Sequence, residues 1–147
     1  MKQEIKKKFF EVTVRYERYL EEKAKARKFT ETYLIDAQTF TEAEAVILGL
    51  HLSNISNAPV EITAAKISNA TDVFPDHDGD AFYRVKHYCK YVNEADREVR
   101  EAECFIIQAH SIDRARQRYK EITKDYVGDW QLESIAETHI VQYIPHI

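Results

Sequence analysis

The densest set of metal-type ligands in the chain is Asp76-His77-Asp78-Gly79-Asp80. Three carboxylates beside an imidazole offer donors that a divalent cation takes. A calcium loop of the helix–loop–helix type also needs glycine at its sixth position and glutamate at its twelfth. Counted from Asp76, the glycine arrives early and the twelfth position is His87. Asp and Gly are equally the residues of a hydrated turn. A linker is therefore expected here, with a metal on Asp76, Asp78 and Asp80 as the lesser reading and no cofactor.

A second pattern joins cations to a ring. Arg84, Lys86, Tyr88 and Lys90 alternate along 82–92, so a strand there sets them on one face. Aromatic rings among cations on an open sheet form the platform on which single-stranded nucleic acid stacks. A following helix would add Arg116, Lys120 and Lys124 at steps of four, with Arg114 and Arg118 beside them. Lys6-Lys7-Lys8 could reach a phosphate backbone as well. Against this, Glu101 and Glu103 on the returning strand are expected to pair with Lys86 or Arg84. The matching face near the N-terminus, Glu11, Thr13, Arg15 and Glu17, is mixed in sign. The whole chain carries 21 Lys and Arg against 25 Asp and Glu, a net charge of −4. Proteins that track phosphates are usually more basic, so nucleic acid is the alternative partner and not the first.

Other chemistry lacks its signature. None of His51, His77, His87, His110, His139 and His146 stands in an H-x-x-x-H or H-E-x-x-H pattern. G-x-S-x-G, P-loop and G-x-G-x-x-G motifs are absent, and with 3 glycines in 147 residues a phosphate cradle is not expected. Surface or satisfied core histidines are the expectation, and an enzyme, metal-dependent through Asp76, Asp78 and Asp80 or acting on a small molecule, is the least expected function. Cys89 and Cys104 are too few for a disulfide framework and form no C-x-x-C pair, so free, partly buried thiols in a reducing cytoplasm are expected. No apolar run approaches the ~20 residues of a membrane span. The chain is rich in rings, with 9 Tyr and 7 Phe. Strands favour them, and so do protein interfaces.

The elements that must position these residues repeat along the chain. Phe9-Phe10-Glu11-Val12 resembles Phe82-Tyr83-Arg84-Val85, Tyr33-Leu34-Ile35-Asp36-Ala37 resembles Phe105-Ile106-Ile107-Gln108-Ala109, and Val73-Phe74-Pro75 resembles Tyr143-Ile144-Pro145. The three matches run in the same order at nearly constant spacing. In the first copy, Phe10, Val12, Val14 and Tyr16 alternate with polar residues, which predicts a strand. After a charged tip at 21–28, residues 29–37 return. Thr41-Glu42-Ala43-Glu44 reads as a capping box ahead of Ala43, Val46, Ile47 and Leu50 on one helical face. Asn57-Ala58-Pro59 makes a turn, and a last strand covers 60–74 with an interruption near Ser68-Asn69. In the second copy, Tyr83, Val85, Cys89 and Tyr91 share a face, and 93–97 is the tip. Cys104 to Ala109 is apolar on both faces, and Asp113 caps a helix presenting Ala115, Tyr119 and Ile122. A final strand covers 130–144. The expected fold is α+β: a pseudo-two-fold duplication of a ββαβ unit with about six mostly antiparallel strands and two main helices. It is read as a single domain over 1–147, with repeats at about 9–75 and 82–145 joined by a linker at 75–81.

These segments also resemble a small bacterial family of unknown function, frequent in gut anaerobes and their phages. The likeness rests on the aromatic strand Phe10 to Glu17 and on Tyr33 to Ala45, in which Phe40-Thr41-Glu42-Ala43-Glu44-Ala45 is the most specific part. It rests also on Phe74-Pro75, on Ser134-Ile135-Ala136-Glu137-Thr138, and on Pro145. It spans nearly the whole chain and implies one domain, but no activity. The function expected is a non-enzymatic interaction module that binds a protein partner or itself.

Overall fold

The structure is a computed structural model that describes residues 7–19, 26–54 and 60–146. Most of the charged tip expected at 21–28, the turn at 57–59 and Lys6 lie outside the described residues. In chain order the elements are β1 (Phe9–Tyr19), β2 (Ala26–Asp36), α1 (Phe40–Asn54), β3 (Glu61–Ile67) and β4 (Asp72–Phe74). They continue with β5 (Ala81–Val92), β6 (Glu98–Ala109), α2 (Ile112–Thr123), β7 (Trp130–Glu137) and β8 (Ile140–Ile144). The fold is α+β with a duplicated layout and mostly antiparallel strands. Among the described residues no helix is long and apolar enough to cross a membrane.

The strands form two sheets of four, ordered β3-β1-β2-β8 and β7-β5-β6-β4. Among the described residues eight strands replace the six expected, because each predicted final strand breaks in two. β3 ends at Ile67 opposite Phe10, and the Ser68 amide donates to the Phe9 carbonyl at 2.8 Å. The chain then leaves that sheet, and β4 pairs with β6 in parallel. The second copy does the same. β7 ends at Glu137 opposite Tyr83, the Thr138 amide donates to the Phe82 carbonyl at 2.8 Å, and β8 pairs with β2 in parallel. The chain divides into two compact units accordingly. One runs to Ser68 and resumes at His139, and the other is Asn69–Thr138.

Each unit lays one helix on one face of its sheet. In the first, Phe10, Val12, Val14 and Tyr16 of β1 meet Tyr33 and Ile35 of β2 and Ala43 and Ile47 of α1. In the second, Tyr83 and Val85 meet Phe105 and Ile107 with Ala115 and Tyr119 of α2. The period-two and period-3.6 patterns therefore pick out the core face of each strand and helix. Ile106 and Leu34, on the opposite faces of β6 and β2, are buried too.

Both helix caps lie two residues ahead of their expected place. The Glu42 amide donates to Thr39 Oγ1 at 3.1 Å, and Glu42 Oε2 accepts the Gln38 amide at 3.1 Å. The capping box is thus Thr39 to Glu42, not Thr41 to Glu44, and this lets α1 begin at Phe40, whose ring packs edge-on against Phe10 at 4.8 Å. For α2 the cap is Ser111, whose Oγ accepts the Arg114 amide at 3.1 Å. Asp113 instead lies in the first turn, where a carboxylate favours the positive end of the helix dipole. Ser111→Ala and Thr39→Ala are each expected to destabilise the protein by about 1 kcal/mol in urea unfolding. Thr41→Ala should change stability by less than about 0.5 kcal/mol.

Candidate functional site

The basic strip forms on β5, but its neighbours differ from those expected. Arg84, Lys86, Tyr88 and Lys90 stand opposite Ile106, Cys104, Ala102 and Arg100 of β6. Glu101 and Glu103 stand opposite Cys89 and His87, on the other face, so they do not neutralise Lys86 or Arg84 as expected. Arg100 joins the strip instead, its guanidinium 4.5 Å above the Tyr88 ring. Glu133, the extra residue where the β5–β7 register shifts, holds Arg100 at 3.2 Å. Tyr88 donates its hydroxyl to Gln131 at 3.0 Å, and Tyr88, Lys90, Asp129 and Gln131 line a shallow polar pocket. One face of the Tyr88 ring is thus already covered by a cation.

The helix cations belong to a different surface. α2 packs on the Tyr83–Val85 face of the sheet, so exposed Arg116, Lys120 and Lys124 lie across the sheet from Arg84, Lys86, Tyr88 and Lys90. Arg116 reaches Asp113 at 3.7 Å. Arg118 is structural: it donates to the carbonyls of Phe74 at 3.0 Å and Gln108 at 2.6 Å, tying β4 to the end of β6.

The acidic segment is an ordered turn. The Asp78 amide donates to Asp76 Oδ1 at 3.0 Å and the Gly79 amide to the Asp76 carbonyl at 2.8 Å. Gln108 grips both ends, accepting the Asp76 amide at 2.9 Å and donating to the Gly79 carbonyl at 2.8 Å. A Cβ at Gly79 would lie 2.7 Å from the Ala109 nitrogen, so glycine is required by close backbone approach. Among the described residues no three His, Cys, Asp or Glu side chains converge as a metal site, and Asp76, Asp78 and Asp80 do not form one.

The constellation that sequence reading missed surrounds His87. Its ring is 1% exposed and shares the face of Tyr83, Val85 and Cys89. Nδ1 lies 2.9 Å from the Tyr119 hydroxyl and Nε2 lies 3.3 Å from Glu103 Oε1. A carboxylate only accepts, so Nε2 carries the proton and Tyr119 donates to Nδ1. Trp130 stacks on the imidazole at 4.4 Å and 27°, and Phe105 and Tyr126 complete the aromatic surround. Burial pushes the imidazole below its ordinary range, and the Glu103 carboxylate pulls partly back. Burial likewise raises the Tyr119 phenol. The chain Glu103–His87–Tyr119 could pass a proton, but its imidazole is sealed from any substrate. The available signal was phase: His87 falls among the buried positions of its strand.

The first unit places a glutamate in the same way. Glu31 of β2 accepts the hydroxyls of Tyr16, at 2.5 Å, and of Tyr33. Burial and that carboxylate raise the Tyr33 phenol far above its ordinary value. Val14 takes the place of His87, so the first unit lacks the imidazole.

With this geometry in view, comparison with known proteins adds one assignment. The chain belongs to a family described as a domain of unknown function (DUF4494), whose model matches residues 8–146. No curated protein and no solved structure matches it.

Trp130 is the chain's only tryptophan and reads His87 directly. Its emission should fall as the imidazole protonates, with a midpoint below the ordinary histidine value, and His87→Gln should abolish the step. The folded pKa is lowered, so the unfolded chain takes up the proton first. Stability should therefore decline as pH falls through about 6.5 and level off below the folded value. Urea midpoints across this range should show the decline, reduced in His87→Gln.

Proposed function

We propose that the chain acts as one domain and as a non-enzymatic interaction module in the cytoplasm of a bacterium or phage-infected cell. It grips a partner protein with the ribbon formed by the ends of β5 and β6. The observation that carries this reading is the exposure of that ribbon. β7 last pairs with β5 at Cys89, and β4 reaches β6 no further than Phe105. From Lys90 to Ala102 every residue except Val99 is exposed. Val92 is 64% exposed and Tyr91 41%, large apolar groups that neither core uses. The ribbon is also preorganised. Asn93 Oδ1 accepts the amides of Ala95 and Arg97, each at 3.0 Å, and Tyr91 donates to Glu101 at 2.7 Å. Rigid tyrosine-bearing surfaces lose little entropy on binding.

A photo-crosslinking residue at Val92 should form nuclease-resistant protein adducts in the native cell, and Tyr91→Ser should remove them without lowering the melting temperature. No adduct above that from the same probe at Asp125 would defeat the reading.

A second reading is favoured by one feature, the placement of Arg100 beside Lys86, Tyr88 and Lys90. Four groups of this kind on one ribbon face suit single-stranded nucleic acid. A gel shift that weakens with salt would support it. Lys90→Glu with Arg100→Glu should then flatten the log–log salt dependence by about 0.7 for each phosphate that is no longer neutralised. Absence of any shift at low salt would remove this reading.

A further inference from the structure

We infer that the place beside β2 is a strand-acceptor site, and that a second copy of this chain can fill it with its own β8. Strand pairing carries this, independently of the ribbon. Each sheet is completed by a short parallel strand that follows the other sheet's edge strand in the chain. The two completions match residue for residue. Val73 pairs with Ile106 and Phe74 with Ile107, while Tyr143 pairs with Leu34 and Ile144 with Ile35. In the repeat alignment, Val73-Phe74-Pro75 answers to Tyr143-Ile144-Pro145, and Ile106-Ile107 to Leu34-Ile35. The donors differ in side chain, yet the register is the same. Each of the two acceptor edges, β2 and β6, therefore takes an apolar pair followed by proline.

The connection decides which copy supplies the strand. Only Thr138 and His139 join β7 to β8. The Thr138 amide is already spent on the Phe82 carbonyl, and its Oγ1 donates to the same atom at 2.8 Å. The hinge thus has almost no free length. The strand it delivers is short, and its register on β2 shifts between Thr32 and Tyr33, leaving Val141 52% exposed. Its anchors are Ile140, buried, Ile144 against the first core, and Tyr143, edge-on to Phe9 at 6.3 Å. His146 beyond it meets Glu42 of α1 at 2.9 Å. All these contacts are the same whichever copy donates β8, so hinge length and effective concentration set the balance. A strand on so short a tether competes at roughly millimolar effective concentration.

The test uses the full chain with an altered hinge. Deleting His139 should convert a protein that is monomeric at micromolar concentration into a dimer by light scattering. Inserting Gly-Ser-Gly after Thr138 should hold it monomeric at concentrations where the unaltered chain begins to dimerise. Excess peptide spanning residues 139–146 should dissociate the deletion dimer. A folded deletion variant that stays monomeric, or a dimer indifferent to the peptide, overturns the inference. If the deletion variant does not fold, binding of the labelled peptide is measured on full-length Tyr143→Asp. Saturable binding is expected, with competition by a peptide of residues 70–76 within about tenfold of the native peptide. That limit corresponds to about 1.4 kcal/mol. No saturable binding, or no competition, overturns it.

Discussion

The arrangement depends on a constraint of strand direction. β1 and β2 form a hairpin and β3 returns beside β1, all antiparallel, and β5, β6 and β7 do likewise. The free edges of β2 and β6 are then filled by parallel strands, which a tight turn cannot supply. A strand joining that edge must arrive from far along the chain. β4 and β8 do so, and the amide bonds from Ser68 to Phe9 and from Thr138 to Phe82 mark where the chain turns away. The same register irregularity recurs upstream, between Thr13 and Val14 in one sheet and between Lys86 and His87 in the other. The likeness of the units therefore extends to the defects in their ladders.

Within this shared layout, the units differ in the polar groups set at the edge of the core. A glutamate on the second strand is common to both. In one unit it accepts two phenols, Tyr16 and Tyr33; in the other it accepts from His87, which Tyr119 holds from the far side. Buried polar groups persist only when satisfied, and each set satisfies its carboxylate differently. Where the first unit has Val14 opposite its glutamate, the second has His87, an imidazole set among core aromatics whose pKa burial lowers.

Much of the fold was legible in the sequence, because burial imposes periods of two and 3.6. Phe10, Val12, Val14 and Tyr16 declared their face, and Ala115, Tyr119 and Ile122 declared theirs. The repeat matches marked the Pro-terminated apolar pairs Val73-Phe74 and Tyr143-Ile144, but as the ends of one long final strand in each copy, since sequence alone does not show where a strand breaks or which edge its end will join. Caps were misplaced because Thr39 and Thr41, or Ser111 and Asp113, suit the role equally by residue type. Only packing, such as Phe40 on Phe10, decides where the first turn begins. His87 was overlooked because a polar residue in an apolar phase looks like noise until its partners, 16 and 32 residues away, are seen. Arg100 could be found only once the cross-strand register set it opposite Lys90.

The two units stand differently toward the order in which a ribosome makes them. Asn69–Thr138 is one uninterrupted stretch that contains every strand of its sheet, so it can close as soon as it has emerged. The other unit begins earlier and finishes later. Its β1, β2 and β3 exist long before β8, and the edge of β2 stands open meanwhile. The contact between Glu42 and His146 spans 104 residues of sequence. Such long-range closure is slow and leaves an unpaired strand edge exposed during synthesis. The half of the molecule made first is therefore the last to be completed.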